Sequence, residues 1–329
     1  MPCPRLPRPV AINPMPAPLL VRLPNHLGDA CMCLPALDLL AQRGYAITLA
    51  GKRWAASLFA GYDWPVVPLA GWRDGLRALH DVRRRQPELQ ALLFTNSFGS
   101  ALQCRLAGLP VNGFATEGRG LLLRKAVAVP AAWHGDMHTV TYYQALAARF
   151  AGASDVSPAA RLDLRIPPQA KVAAKAMLSA AGVGDRYVVI CPAAVGRHRG
   201  QIKAWSGFGR LADDLRSRGV TVVAFPGPGE TNAVRAAVPG TAVMPETDVS
   251  VFAATLAGSQ LVVANDSGAG HVAAAVNAPL VSVFGVTEPA KTRPWGPNAR
   301  LLGDERGWPH YEAVLATVLA TLGAEAASG

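Results

Sequence analysis

Short apolar runs rich in β-branched residues recur along this chain. Each is followed by a turn and then by a stretch whose apolar positions return every three or four residues. In the first half the runs fall at residues 19–23, 46–50, 66–67 and 91–94. Between and after them the spacing predicts helices over 30–43, ended by Gly44, through Leu76, Leu79 and Val82, from the end of the turn 95–100 to 107, and over 138–150. The second half restarts the pattern, with strands at 187–191, 220–225, 241–244, 261–264 and 280–284. Its helices are expected at 170–181, 206–218, after Glu230, at 249–257, at 272–276 and over 309–322. Such alternation implies parallel strands joined by helical crossovers, an α/β fold. The Ala-, Ser- and Pro-rich stretch 152–169 lacks helical periodicity and marks the boundary. We therefore expect a Pro-rich extension over 1–18, one Rossmann-like domain over 19–160, and a second over 161–329 that includes the final helix. The two face each other across a cleft.

The length of 329 residues suits two domains. No apolar run reaches the roughly 18 residues of a membrane span. The Pro-rich start lacks the apolar core of a secretion signal. Five cysteines, at positions 3, 31, 33, 104 and 191, form no disulfide pattern. These features suit a cytoplasmic protein. Charge changes the picture more. Residues 1–150 carry 16 Lys and Arg against 8 Asp and Glu, a net of +8, whereas residues 151–329 carry 16 against 14, a net of +2. The first half is suited to an acidic partner: nucleic acid, anionic head groups or a phosphorylated, carboxylated saccharide. Composition alone could also produce it.

The most informative stretch is 261–284, a β-turn-α-β unit whose turn reads Asn265-Asp266-Ser267-Gly268-Ala269-Gly270. Glycines there let a ligand approach the backbone, and the helix start offers unpaired N–H groups that suit a phosphate. The same residues would also serve as a plain N-cap. The run from Gly227 to Asn232 begins like a dinucleotide fingerprint but has Asn232 in place of the third glycine. There is no P-loop and no Asp-x-Asp metal signature. His134 and His138, four apart, lack the partners of a zinc site. Asp29, after a strand-to-helix turn, could accept a proton from a hydroxyl or merely cap a helix. Lys203 and the helix start at Ser267-Gly268 could together hold a diphosphate, and Glu230 at a strand end could bind ribose hydroxyls.

Together these residues carry a resemblance. Asn265-Asp266-Ser267-Gly268 with His271-Val272-Ala273-Ala274-Ala275, and Phe284-Gly285-Val286-Thr287-Glu288-Pro289, are its strongest parts. Supporting parts are Gly28-Asp29 with Pro35-Ala36-Leu37, Asn96-Ser97-Phe98 with Ser100-Ala101-Leu102, and Cys191-Pro192-Ala193-Ala194 with Lys203-Ala204-Trp205. The chain resembles glycosyltransferase family 9, the lipopolysaccharide heptosyltransferases, and within it the heptosyltransferase II branch. The likeness covers most of residues 19–300.

The resemblance implies a GT-B fold with two Rossmann-like domains, and inverting, metal-independent transfer of heptose from ADP-L-glycero-D-manno-heptose to the lipopolysaccharide inner core. No cofactor and no nucleic acid are implied. Asp29 matches the general base, Lys203 the lysine beside the donor diphosphate, and Glu230 the ribose-binding acid. Asp266, Ser267, Gly268 and His271 match the loop gripping phosphates and sugar, with Ala193 beside them and Met244 near adenine. Asn96, Ser97, Arg119 and Arg124 are expected on the acceptor side. The acceptor is acidic, and a peripheral contact with the inner membrane surface is expected. The cationic loop with Arg197, His198 and Arg199, and Pro24-Asn25-His26 ahead of Gly28, depart from the family pattern. A different sugar nucleotide or acceptor, or a sugar-nucleotide epimerase, are the alternatives.

Overall fold

A computed structural model of the chain describes residues 16–153, 157–193, 197–198 and 201–328. Most of the Pro-rich extension and Arg199 lie outside the described residues. Two six-stranded sheets form the molecule, and in both every pairing is parallel.

The first sheet contains β1 (Ala17–Arg22), β2 (Tyr45–Gly51), β3 (Val66–Pro68), β4 (Gln90–Leu93), β5 (Val111–Phe114) and β6 (Lys125–Val127), in the order β3-β2-β1-β4-β5-β6. After β7 (Val188–Cys191), a two-residue ribbon of β8 (Arg197–His198) and β9 (Gln201–Ile202) interrupts the second half. The second sheet then adds β10 (Val222–Ala224), β11 (Ala242–Val243), β12 (Leu261–Asn265), β13 (Leu280–Val283) and β14 (Ala299–Leu302). Its order, β11-β10-β7-β12-β13-β14, repeats that of the first sheet. Strand order reverses beside β1 in one sheet and beside β7 in the other. Crevices open at such switch points, beyond the carboxyl ends of the strands.

The pleat assigns each face. Leu19 and Val21 of β1 join one core with Leu37, Leu40, Val140 and Tyr142, from the helices Leu34–Gln42 and Thr139–Phe150. Leu20 points the other way, toward Leu79, Ala101 and Cys104 of the helices Trp72–Arg85 and Phe98–Leu106. Leu19, Leu20 and Val21 are fully buried, which for each side chain stabilises the fold by about 1.5–3 kcal/mol. The final helix, Tyr311–Ser328, lays Val314 and Val318 on the second sheet beside Val263 and Val283.

Three departures from the sequence reading have physical causes. The single helix expected over 30–43 is two, Leu27–Met32 and Leu34–Gln42. Pro35 has no N–H to continue the first, so the chain restarts at Cys33 and the helix with Asp29 begins three residues early. β5, β6 and β14 were not expected. Asn112, Gly113 and short, weakly β-branched runs hide them locally, and parallel pairing to a neighbour makes them strands.

The halves are joined by more than the connecting segment. Thr139 Oγ1 of the first half donates to Lys291 O of the second at 2.8 Å. The connecting segment is itself pinned to the second half, Leu164 N–H donating to Ala275 O at 2.8 Å and Trp295 Nε1 to Ala159 O at 2.7 Å. Ser57 Oγ donates to Asp248 Oδ1 at 2.7 Å on another side of the joint.

Candidate functional site

A cleft of about 600 Å³ lies between the carboxyl edges of the two sheets. Its walls come from loops that follow β1, β7, β10, β12 and β13, which is why residues far apart in sequence meet there. Asp29, Ala193, Lys203, Glu230, Asp266, Ser267, Gly268 and His271, all singled out from sequence, line it.

The β12 loop is its centre. Asn265, fully buried at the end of β12, accepts from Trp205 N–H at 3.0 Å and donates from Nδ2 to Pro192 O at 2.7 Å. One amide therefore fixes both ends of the loop that carries Ala193 and Lys203. Lys203 Nζ reaches Asp266 Oδ2 at 2.8 Å, and Thr287 Oγ1 donates to the same oxygen at 2.7 Å. The ammonium is thus held beside the start of the helix Gly268–Ala275, where the unpaired N–H groups and the positive end of the helix dipole lie and where Ser267, Gly268 and Ala269 line the cleft. Ser267 is the N-cap, but its side chain accepts no capping hydrogen bond.

Two polar atoms of this loop are buried without a partner: Ser267 Oγ and His271 Nδ1. Buried polar atoms are normally paired; these two belong to residues that line the cleft, while Arg22 Nε, Thr241 Oγ1 and Ser282 Oγ are orphaned away from it. Burial holds the His271 imidazolium pKa below its usual value; the Asp266 and Asp29 carboxylates oppose this and Lys203 adds to it. His271 is accordingly neutral at physiological pH, able to donate from one nitrogen and accept at the other.

Across the cleft, the helix Leu27–Met32 packs directly on that imidazole. A Cβ on Gly28 would stand 2.5 Å from His271 Cδ2, so only glycine fits. Asp29 in the same turn keeps about a third of its side chain exposed, with His26 Nδ1 at 3.3 Å from Oδ2. Phe225 and Phe252, ring centroids 5.4 Å apart, give the cleft an apolar wall near Pro226 and Pro228.

Glu230 accepts from Gly227 N–H at 2.8 Å, closing its own loop, while its other oxygen remains unengaged by that bond. Glu246, which the sequence did not single out, accepts from Gly229 N–H at 2.9 Å and Thr231 Oγ1 at 3.0 Å. It holds the shape of the loop that presents Glu230.

Other expected residues stand apart. Met244 is in the core, 2% exposed, in one cluster with Phe225 and Phe252, and only those two rings line the cleft. Arg119, expected to meet the acceptor, is wholly buried: its guanidinium donates to Phe114 O at 2.9 Å and to Thr95 O. Ser97 caps the helix Phe98–Leu106, its Oγ accepting from Ser100 N–H at 3.3 Å. Asn96 Oδ1 accepts from Tyr142 OH at 2.8 Å. Arg124 is exposed on the approach to β6, away from the cleft lining. Among the described residues no three His, Cys, Asp or Glu side chains group as a metal site requires.

With the geometry established, comparison with known proteins is informative. Residues 77–314 match the profile of glycosyltransferase family 9 (heptosyltransferase). A stretch of 142 residues is 35% identical to lipopolysaccharide heptosyltransferase 3 of Escherichia coli, covering 40% of this chain and 41% of that protein. The alignments span about two fifths of the length of such curated relatives. Among solved structures, Escherichia coli ADP-heptose lipopolysaccharide heptosyltransferase II superposes with a TM-score of 0.75 at 24% identity, covering 93% of this chain and 99% of that one. Escherichia coli heptosyltransferase WaaC with ADP superposes at 0.71 and 20% identity, covering 92% and 99%. At such identities the structural likeness speaks to the fold, which is GT-B.

Proposed function

The chain belongs to glycosyltransferase family 9, and on that premise we propose that the cleft transfers heptose from ADP-L-glycero-D-manno-heptose to the lipopolysaccharide inner core. The observation that carries this reading is the grouping, in one cleft, of Lys203, the helix start at Gly268 and the orphaned polar atoms of Ser267 and His271, opposite Asp29. That is a site for a diphosphate and sugar on one wall and a hydroxyl on the other.

In the proposed reaction the acceptor oxygen attacks the anomeric carbon while Asp29 takes its proton. The bond from that carbon to the diphosphate breaks, and ADP leaves with the electron pair. Charge growing on the leaving diphosphate meets Lys203 and the first N–H groups of the helix Gly268–Ala275. Attack opposite the leaving group inverts the anomeric configuration. Asp266, already committed to Lys203 and Thr287, would repel phosphate and is better suited to sugar hydroxyls. Glu230 receives the ribose, and the Phe225–Phe252 wall the base. Proton transfer and charge neutralisation by side chains alone give a transfer that needs no metal.

The test is ADP release from ADP-heptose, with and without a Kdo-containing or heptosylated inner-core acceptor, in the presence of a chelator. Acceptor-dependent release that survives chelation supports the reading in full. Release abolished by chelation removes the metal-free mechanism. Turnover of the donor without any acceptor points to the epimerase alternative instead.

A further inference from the structure

The turn Pro24-Asn25-His26 leaves the carboxyl end of β1, and the reaction proposed above makes no use of it. Its backbone is held by the strand it leaves. Arg22, the last residue of β1 and almost wholly buried, donates from Nη2 to Asn25 Oδ1 at 2.9 Å and from Nη1 to Leu23 O. Between those two anchored residues Pro24 fixes its own φ. His26 is therefore delivered from a braced turn.

His26 is the N-cap of the helix Leu27–Met32, with extended backbone at φ −106° and ψ 142°. An N-cap side chain ordinarily accepts from an N–H of the first turn, which is why Ser, Thr, Asp and Asn are preferred there. The His26 ring makes no such bond. Its carbonyl alone serves the helix, accepting from Ala30 N–H at 3.1 Å. The ring lines the cleft instead, with Nδ1 at 3.3 Å from Asp29 Oδ2. Positions three apart share one helix face, so the two side chains are neighbours by spacing as well as by distance.

Asp29 has the complementary need. In a capping box the carboxylate at this third helical position turns back to the N-cap N–H. Asp29 does not: among the described residues its carboxylate accepts no hydrogen bond, and His26 is the basic side chain in contact with it. Lys203, across the cleft, is already spent on Asp266 at 2.8 Å. A carboxylate left free offers an entering hydroxyl two equivalent oxygens and turns between them. A base is most effective when a third group fixes its orientation.

We infer that His26 is the positioning residue for Asp29: its Nδ1–H donates to Oδ2 and leaves Oδ1 aimed at the acceptor hydroxyl. At 3.3 Å the pair is loose, and such bonds tighten when a substrate displaces the water around them. The role rests on the reading of Asp29 as the base for the acceptor, but the tautomer it requires is measurable without any transfer.

Imidazole nitrogen resonances of the full chain report that tautomer, the His26 signals being identified by their loss in His26→Gln. At a pH where the ring is neutral, wild-type His26 should carry its proton on Nδ1, and Asp29→Ala should return it to Nε2, because the partner of one ring nitrogen sets the protonation of the other. Acceptor-dependent ADP release is the second readout. His26→Asn puts an amide N–H where Nδ1 stands and should keep kcat within about threefold of the wild type. His26→Leu has no donor, and the amide of His26→Gln reaches the place of Nε2 instead, so both should lower kcat by about tenfold or more with acceptor KM and ADP affinity unchanged. An Nε2–H ring in the wild type, a tautomer indifferent to Asp29→Ala, equal rates in His26→Asn and His26→Leu, or a raised acceptor KM with kcat intact overturns the inference and leaves the transferase reading standing. An Nδ1–H ring that depends on Asp29, in a wild type that releases no ADP with any inner-core acceptor, removes the transferase reading and leaves the pair.

Discussion

The helix that carries Asp29 and the helix that caps the β12 loop touch through Gly28 and His271, where an added Cβ would come within 2.5 Å of Cδ2 and 2.9 Å of Cγ. The constraint is space rather than backbone, because Gly28 lies in a helix without a positive φ. This contact sets the distance between the proposed base and the proposed diphosphate site. Gly28→Ala should therefore lower stability by about 1–3 kcal/mol, the usual cost of overpacking. It should also lower transfer far more than ADP affinity. Thermal melts and nucleotide titration check it, and unchanged turnover would show that the two walls adjust freely.

Lys203 is held by Asp266 at 2.8 Å and is only 23% exposed. Lys203→Ala removes the cation facing the leaving diphosphate and should slow turnover by roughly a hundredfold or more. It also strands the Asp266 carboxylate, leaving Thr287 as its remaining partner. Asp266→Asn in the same background should recover stability without recovering rate. Steady-state kinetics on both variants separate the two effects.

Arg119→Ala gives a sharp contrast with the acceptor role expected from sequence. With the guanidinium gone, Phe114 O and Thr95 O lose a donor and a fully buried volume empties. The expected result is a loss of about 3 kcal/mol or more in unfolding free energy. Denaturant melts report it. A wild-type melt with a raised acceptor KM would restore the acceptor assignment.

His138 supplies a pH dependence across the joint between the halves. Burial lowers its pKa from 6.5 to about 4, with the Arg293 carbonyl opposing and the charges of His271 and Arg293 assisting. Its Nδ1 accepts from Val140 N–H at 3.1 Å, and Nε2 meets Arg293 O at 3.0 Å, which together define a neutral ring with the proton on Nε2. Because the folded-state pKa is depressed, this stability is complete above about pH 6.5 and is lost as pH falls toward 4. His138→Asn keeps a cap acceptor but does not titrate, so its melting temperature should fall less than that of the wild type between about pH 7 and about pH 5. Parallel slopes would place the sensitivity elsewhere.

Much of this was legible in the residues themselves. The strand-turn-helix alternation is local, and so was the β12 loop, because glycines and polar residues at a helix start carry their own physical reason. What stayed hidden depends on partners distant in sequence. Pro35 splitting the second element could have been read from the missing N–H. Glu246 bracing Gly229, or Phe252 facing Phe225, could not. Asn265 and Thr287 lay within the motifs but carried no visible role, since their bonds run to Trp205, Pro192 and Asp266. Arg119 misled for the converse reason: a basic loop residue reads as exposed, and only the fold reveals the carbonyls that draw it inward.

The central claim is that one cleft divides its labour, with Asp29 serving the acceptor and the β12 loop serving the donor. The most direct measurement compares Asp29→Asn with the wild type for acceptor-dependent ADP release and for ADP affinity. The account predicts that transfer is abolished while ADP affinity stays within a few-fold, since the carboxylate touches the entering hydroxyl and not the nucleotide. Transfer near the wild-type rate, or ADP affinity lost together with transfer, would contradict it.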